Sequence, residues 1–236
     1  MERLIKGFEQ FRRTAFPEKR ELFEKLAGGQ TPHTMFITCA DSRVAPELFT
    51  SSEPGDIFVC RNVGNIVPPY AQFTGGVSAA IEYAVAALKV QNIVVCGHSD
   101  CGAMKATQDP SKVASLQAVS AWLRHSHIAK VVVDANYTFH DPAEHLAKIT
   151  EENVVAQLDH LRTHPSVAAK LMAGQLQIHG WVFDIEAGSI KAYSAKQGRF
   201  VPLEDSLLET DDLGTLPHAT PPSRLSANGA TAGDTL

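Results

Sequence analysis

Leu4, Ile5, Phe8 and Phe11, with charged residues between them, recur at the spacing of one helical face and predict a helix over residues 2–14. Pro17 interrupts the pattern, and a second amphipathic helix is expected from Glu18 to Ala27, ended by Gly28-Gly29. The periodicity then changes. Short apolar runs at Met35-Phe36-Ile37-Thr38, Ile57-Phe58-Val59-Cys60 and Ile93-Val94-Val95-Cys96 read as buried strands over 34–39, 57–60 and 92–96. Between the first two lie a short helix near Pro46 to Phe49 and a turn at Glu53-Pro54-Gly55-Asp56. After the second come a loop at 61–65 and a helix opened by Thr74-Gly75-Gly76, running through Ala79, Ile81, Tyr83, Val85 and Leu88. Strand, helix and strand in alternation predict an α/β fold with a parallel sheet buried on both faces. Two helices ahead of the first strand are surplus to such a sheet. They are expected to reach onto a partner subunit, with packing on their own sheet as the alternative.

Beyond Cys101 the pattern is helical over about 102–107, 113–128 and 142–163. His164-Pro165 breaks it, and a short helix follows to Met172. Gln175 to Phe183 reads as a fourth strand, and Glu186-Ala187-Gly188-Ser189 as a hairpin-like turn into Ile190 to Tyr193. From about Thr210 the composition shifts to Pro, Ser, Thr, Ala and Gly, which buries little apolar surface. A single domain over 1–209 and a disordered tail over 210–236 are expected, with no internal repeat.

Composition narrows the function. At 236 residues and 44% hydrophobic the chain can bury a sizeable core. A net charge of -5 gives no basic face for nucleic acid. No apolar run approaches the ~20 residues of a membrane span, and Met1 to Lys6 lacks the apolar core of a signal peptide. A cytosolic location is the default expectation. The four cysteines, at 39, 60, 96 and 101, are then ligands, catalytic groups or core filler rather than disulfides. Cys60 and Cys96, inside apolar runs, are read as core.

The chemistry concentrates in two clusters, Cys39-Ala40-Asp41-Ser42-Arg43 and His98-Ser99-Asp100-Cys101, each following an apolar run. Open parallel sheets form sites at the carboxyl ends of their strands, so Cys39, Arg61 and His98 should converge. Cys101, three residues past His98, lets one turn present both side chains to one ion. Two thiolates and an imidazole suit zinc. A fourth position holding water makes the site catalytic; Asp41 in that position would close it. H-x-x-C alone is a weak signal, and the strand-end Cys-x-Asp-x-Arg makes it far more specific. Arg43 beside Asp41 would keep that carboxylate ionised and able to orient a zinc-bound hydroxide. A surface salt bridge of little consequence is the plain alternative.

Other constellations carry less. His125, His127, His160 and His164 fall on polar helical stretches and read as surface histidines, with a proton relay as the alternative for one of them; His160-x-x-x-His164 lacks the glutamate of a zinc protease. His179 and Trp181 fall on a strand and read as packing. Gly97 and Gly102 are spaced as in a phosphate loop, but Ala103 stands where its lysine is needed. Two rival functions remain: a thiol hydrolase with Cys39 as nucleophile and His98 as base, active without metal, and a structural zinc module with Asp41 always on the metal.

C-A-D-S-R at 39–43, R-N-V-G-N at 61–65, G-G-V-S-A-A-I-E-Y at 75–83 and G-H-S-D-C-G at 97–102 together resemble the β-class carbonic anhydrases, in order, over roughly residues 1–205. The pattern is most similar to bacterial members associated with cyanate breakdown. The resemblance implies reversible hydration of CO2 to bicarbonate by attack of zinc-bound hydroxide. Cys39, His98 and Cys101 would be the zinc ligands, and Asp41 and Arg43 the catalytic dyad. Gly102 would offer its N–H to bicarbonate, and Gln30, Phe58, Val63 and Tyr83 would line the substrate pocket, Phe58 and Val63 as its apolar walls. It also implies a homodimer or dimer of dimers, with the glutamine and the tyrosine supplied by the neighbouring subunit. Some members bind a regulatory bicarbonate through a Trp and a Tyr at positions that here are Phe36 and Phe183. Neither can donate a hydrogen bond, so with Gln30 present a non-allosteric, open site is expected. The same fold acting on carbonyl sulfide or carbon disulfide is the nearest rival.

Overall fold

The computed structural model describes residues 1–71 and 75–206. Three helices come first, α1 (Glu2–Arg13), α2 (Ala15–Glu18) and α3 (Arg20–Leu26). The next elements are β1 (Thr34–Cys39), α4 (Pro46–Phe49), β2 (Ile57–Asn62), α5 (Gly76–Glu82) and β3 (Asn92–His98). Helices α6 (Gly102–Gln108), α7 (Gln117–Trp122), α8 (His127–Asn136), α9 (Pro142–Arg162) and α10 (Pro165–Met172) follow. The chain closes with β4 (Gln177–Asp184), β5 (Ser189–Ser194), β6 (Arg199–Pro202) and α11 (Leu203–Ser206). The six strands form one sheet in the order β2-β1-β3-β4-β5-β6. The first four are parallel, while β5 and β6 are antiparallel additions through tight turns.

Alternation along the strands divides the core. Met35, Ile37, Ile93, Val95 and Ile178 face α5, α9 and α10, packing on Ile81, Val154, Leu158, Leu161 and Val167. Phe36, Val94 and Cys96 face the other way, with Phe49, Trp181 and Phe183. Helix α9 lies close on the sheet because β4 has no side chain beneath it at Gly180. A Cβ there would sit 2.8 Å from Val154 Cγ1. On the opposite face a groove of about 430 Å³ remains, lined in part by His33, Phe36, Val94, His179 and Trp181.

Several expectations need correction. Strand β2 runs on to Asn62, so Arg61 and Asn62 belong to it rather than to the loop expected over 61–65, and β3, expected over 92–96, runs on to His98. Pro17 does not separate the first helices. It lies within the short α2, among the first helical positions whose N–H has no partner to lose. Helix α5 closes in a π-helical turn over Tyr83–Ala87. The helix expected over 113–128 is not one helix. A 3₁₀ turn at Leu123–Ser126 separates α7 from α8, and α8 continues to Asn136. Strand β6 and helix α11 were not foreseen, and His164, expected at the surface, is buried with its Nε2 3.1 Å from the Pro68 carbonyl oxygen. Thr74 and the expected tail over 210–236 lie outside the described residues. Among the described residues no helix is long and apolar enough to cross a membrane.

Helix α1 buries none of its residues in this chain: Leu4 is 70% and Phe8 59% exposed. Of its apolar face, legible in the sequence, Leu4, Ile5 and Phe8 stay exposed, while Phe11 packs on Phe16 and Phe23.

Candidate metal centre

Three parallel strand ends and one helix start build the site. Cys39 ends β1, His98 ends β3, and Cys101 is the residue before the first turn of α6. Their ligand atoms all lie within 4.8 Å of one another, and all three side chains are buried. The expectation that strand ends bring the two sequence clusters together is met.

The electrostatics of this group call for a cation. The Cys39 thiol is lowered to about 4, first by the hydrogen bond with Cys101 and then, against burial, by the neighbouring His98 ring and the Gly64 N–H. The Cys101 thiol is pushed up, first by the hydrogen bond with Cys39 and then by burial. One thiolate is accommodated; a second beside it in the same buried place needs positive charge to offset it. His98 Nδ1 lies 2.8 Å from the Ser99 carbonyl oxygen, to which it donates, so the lone pair is on Nε2. That Nε2 is buried without a hydrogen-bond partner. A buried acceptor facing two sulfurs is a ligand set for a soft-to-borderline metal, and two sulfurs with one imidazole fit zinc.

Beside these donors, Arg43 holds Asp41 by both oxygens, Nε to Oδ1 at 2.9 Å and Nη2 to Oδ2 at 2.8 Å. The Arg43 backbone N–H also donates to Oδ1 at 3.0 Å. These bonds, the side-chain ones foremost, hold the Asp41 carboxyl well below the usual carboxylate range. Its Oδ2 lies 3.9 Å from His98 Nε2, so the ionised carboxylate borders the donor set.

The match to a family model described as carbonic anhydrase extends over residues 34–190. The chain belongs to the carbonic anhydrase family. It is 50% identical over 205 residues to a carbonic anhydrase of Pseudomonas aeruginosa, covering 87% of this chain and 93% of that one. It is 52% identical over 203 residues to carbonic anhydrase 1 of Escherichia coli O157:H7, covering 86% and 92%. Among solved structures, the β-carbonic anhydrase CcaA superposes with a TM-score of 0.83 at 44% identity, covering 86% of this chain and 91% of that one. Two tetrameric β-carbonic anhydrases of Sordaria macrospora are represented by a chain with a TM-score of 0.74 at 32% identity, covering 82% and 96%. The chain is thereby a member of the β class.

Within this carbonic anhydrase fold the remaining site residues fall in two places. Val63 is half exposed and adjoins Gly64, whose N–H donates to Cys39 Sγ at 3.3 Å; Gly102 is the exposed first residue of α6. Phe58 and Tyr83 pack together, ring centroids 6.0 Å apart. They do so away from the chain's own metal donors. Phe58 precedes the end of β2 by four residues, roughly 13 Å along a strand. Gln30 is exposed ahead of the amino end of β1. The expected pairing of Phe58 with Val63 as walls of one pocket is therefore not made within one chain; Phe58 groups with Tyr83.

Two further residues hold the site: Arg61, which the sequence placed there without a role, and Asp100, to which it gave none. Arg61 donates to the carbonyls of Cys39 (Nε, 3.2 Å) and Asp41 (Nη2, 2.6 Å), pinning the loop that carries both. Its place at a strand end was the available signal. Asp100 accepts from Arg43 Nη1 at 3.0 Å and is paired with Lys105. It does so from a left-handed backbone (φ 57°), which sequence alone does not announce.

Proposed function

We propose that this chain is a zinc-dependent carbonic anhydrase that interconverts CO2 and bicarbonate with an open site. The observation that carries the proposal is the buried, unpartnered His98 Nε2 facing the Cys39 and Cys101 sulfurs, with Asp41 engaged by Arg43 rather than by the donor set. Cys39, His98 and Cys101 would hold zinc, which would supply a Lewis acid that brings the pKa of water toward ~7 and so a hydroxide nucleophile at neutral pH.

The protein's own residues do the rest. Asp41, kept ionised by Arg43, accepts the hydrogen bond of the attacking O–H and so aims its lone pair at the carbon of CO2. Val63 offers a small apolar wall suited to a nonpolar substrate. The Gly102 N–H is placed to donate to a bicarbonate oxygen. Attack on the carbon would turn one C–O π bond into the oxyanion of bicarbonate, and the proton lost by the water that supplies the hydroxide would pass to buffer.

Gln30, Phe58 and Tyr83 we assign to the neighbouring subunit's site. Their support is position: all three lie on the amino-end side of β1 and β2, remote from their own donors. The exposed Leu4, Ile5 and Phe8 of α1 and the groove lined in part by Phe36 and Trp181 each leave apolar surface for a second copy to cover. We place the α1 of a second copy in that groove, making the homodimer the smallest complete enzyme and a tetramer a pair of such dimers. Phe36 and Phe183 support a non-allosteric enzyme. They are packed in a ring cluster with Phe49 and Trp181 that offers an anion no hydroxyl at these two positions. A cytosolic location, a single domain over 1–209 and kinship with members associated with cyanate breakdown are proposed on sequence pattern alone.

The test is metal removal. Chelation should abolish CO2 hydration, and zinc should restore it in proportion to the metal taken up. Turnover persisting in metal-free protein would favour the thiol hydrolase, with Cys39 as its nucleophile.

A further inference from the structure

Trp122 ends α7, and its indole N–H donates to the Val63 carbonyl oxygen at 2.8 Å. Val63 C=O and Gly64 N–H belong to one planar peptide unit, and that N–H donates to Cys39 Sγ at 3.3 Å. Fixing the direction of the carbonyl fixes the N–H on the opposite side. We propose that Trp122 is a positioning residue of the metal site, aiming the Val63–Gly64 peptide so that its N–H bears on the Cys39 sulfur. The inference rests on the reading of Cys39 as a metal ligand.

The surroundings are built for this one peptide orientation. Gly64 has φ 83°, and a Cβ on it would meet Ala103 Cβ at 2.9 Å, so only glycine carries the chain through. The following peptide is held separately: Asn153 Nδ2 donates to the Gly64 carbonyl at 3.2 Å, and Gln157 Nε2 holds Asn153 Oδ1 at 2.9 Å. The indole is steadied by an edge-on contact with His125, ring centroids 5.8 Å apart, and packs on the buried cluster that contains Cys39, Ile66, Cys101 and Met104. The break between α7 and α8 at Leu123–Ser126 is what leaves Trp122 at a helix end facing Val63.

The chemical effect follows from the chain of two hydrogen bonds. A donor on the carbonyl oxygen polarises the peptide and strengthens its N–H as a donor. The N–H draws charge from the sulfur, leaving the metal more electron-poor and the ligand fixed in direction. Merely tethering a loop would not do the first of these.

The test uses full-length protein loaded with cobalt(II), whose sulfur-to-metal charge-transfer band reports electron density on the thiolates. Trp122→Phe removes the donor and keeps a ring; 3-benzothienylalanine at position 122 removes only the N–H and keeps the shape, should the phenylalanine variant fail to fold. His125→Ala removes the edge contact and keeps the donor. Loss of the donor should move the band to longer wavelength and lower metal affinity about tenfold, the low end for losing a partner that orients a ligand. His125→Ala should leave the band in place. An unmoved band in a folded, cobalt-loaded donorless variant overturns the inference even if affinity falls, and so does an equal shift in His125→Ala. A wild type with no thiolate charge-transfer band overturns the metal reading itself, and the inference with it.

Discussion

Arg43 grips Asp41 with two parallel hydrogen bonds, 2.9 Å and 2.8 Å, while Asp41 Oδ2 stands 3.9 Å from Nε2 of His98. A carboxylate so engaged serves as a hydrogen-bond acceptor beside the donor set. Lysine at position 43 keeps the charge and loses the planar fork. Arg43→Lys should therefore lower kcat for CO2 hydration about 10- to 100-fold with zinc content unchanged. Stopped-flow hydration beside metal analysis checks both halves of that statement.

Asp100 anchors the far side of the same guanidinium at 3.0 Å. The pair is well exposed, so its loss should leave the thermal midpoint nearly where it was. Its effect should instead appear in rate. Asp100→Ala is expected to reduce kcat severalfold, less than Arg43→Lys, because the Asp41 fork survives. A larger loss than in Arg43→Lys would show that Asp100 has a part of its own.

Gly64 is fixed by backbone and by space, with φ 83° and Ala103 Cβ 2.9 Å from any added Cβ. Gly64→Ala should destabilise the fold by about 2 kcal/mol, combining left-handed strain with overpacking. Denaturant unfolding at constant pH reads this directly. Zinc retention should fall in the same variant, because the N–H onto Cys39 moves with the residue.

Burial lowers the pKa of His160, His164 and His179. Their rings face the Val67 carbonyl, the Pro68 carbonyl and the Asn92 side chain respectively. A lowered native pKa means the unfolded chain binds protons first as pH falls below the unfolded-state value of about 6.5. Their contribution is full above that pH and is lost below it, by at most about 1.4 kcal/mol per histidine per pH unit. Unfolding free energy measured from pH 7.5 to 5.5 should decline, and His164→Asn should flatten the slope.

Phe36 and Phe183 lie in a ring cluster with Phe49, 6.0 Å and 4.6 Å between the respective centroids. Activity should decline smoothly toward acid pH, and bicarbonate should inhibit without cooperativity. A steep, bicarbonate-promoted loss below neutral pH would show a regulatory anion site despite these rings.

The residues proposed to do the chemistry were legible because their types are rare and their spacing follows strand ends. Cys39, His98 and Cys101 could be grouped once β1 and β3 were recognised as buried strands. The long helix α9 was legible from sustained periodicity. What stayed hidden depends on contacts across the sequence. The α7–α8 break lacks any proline or glycine, so periodicity ran through it and with it the reach of Trp122 to Val63. Strand β6 is four residues with a proline, a weak edge signal. The separation of Phe58 from Val63 is a matter of position along β2, which composition does not carry.

The most direct measurement is stopped-flow CO2 hydration at neutral pH by wild-type protein of known zinc content. The account predicts about one zinc per chain and a hydration rate proportional to zinc. Full zinc occupancy with no hydration would contradict it.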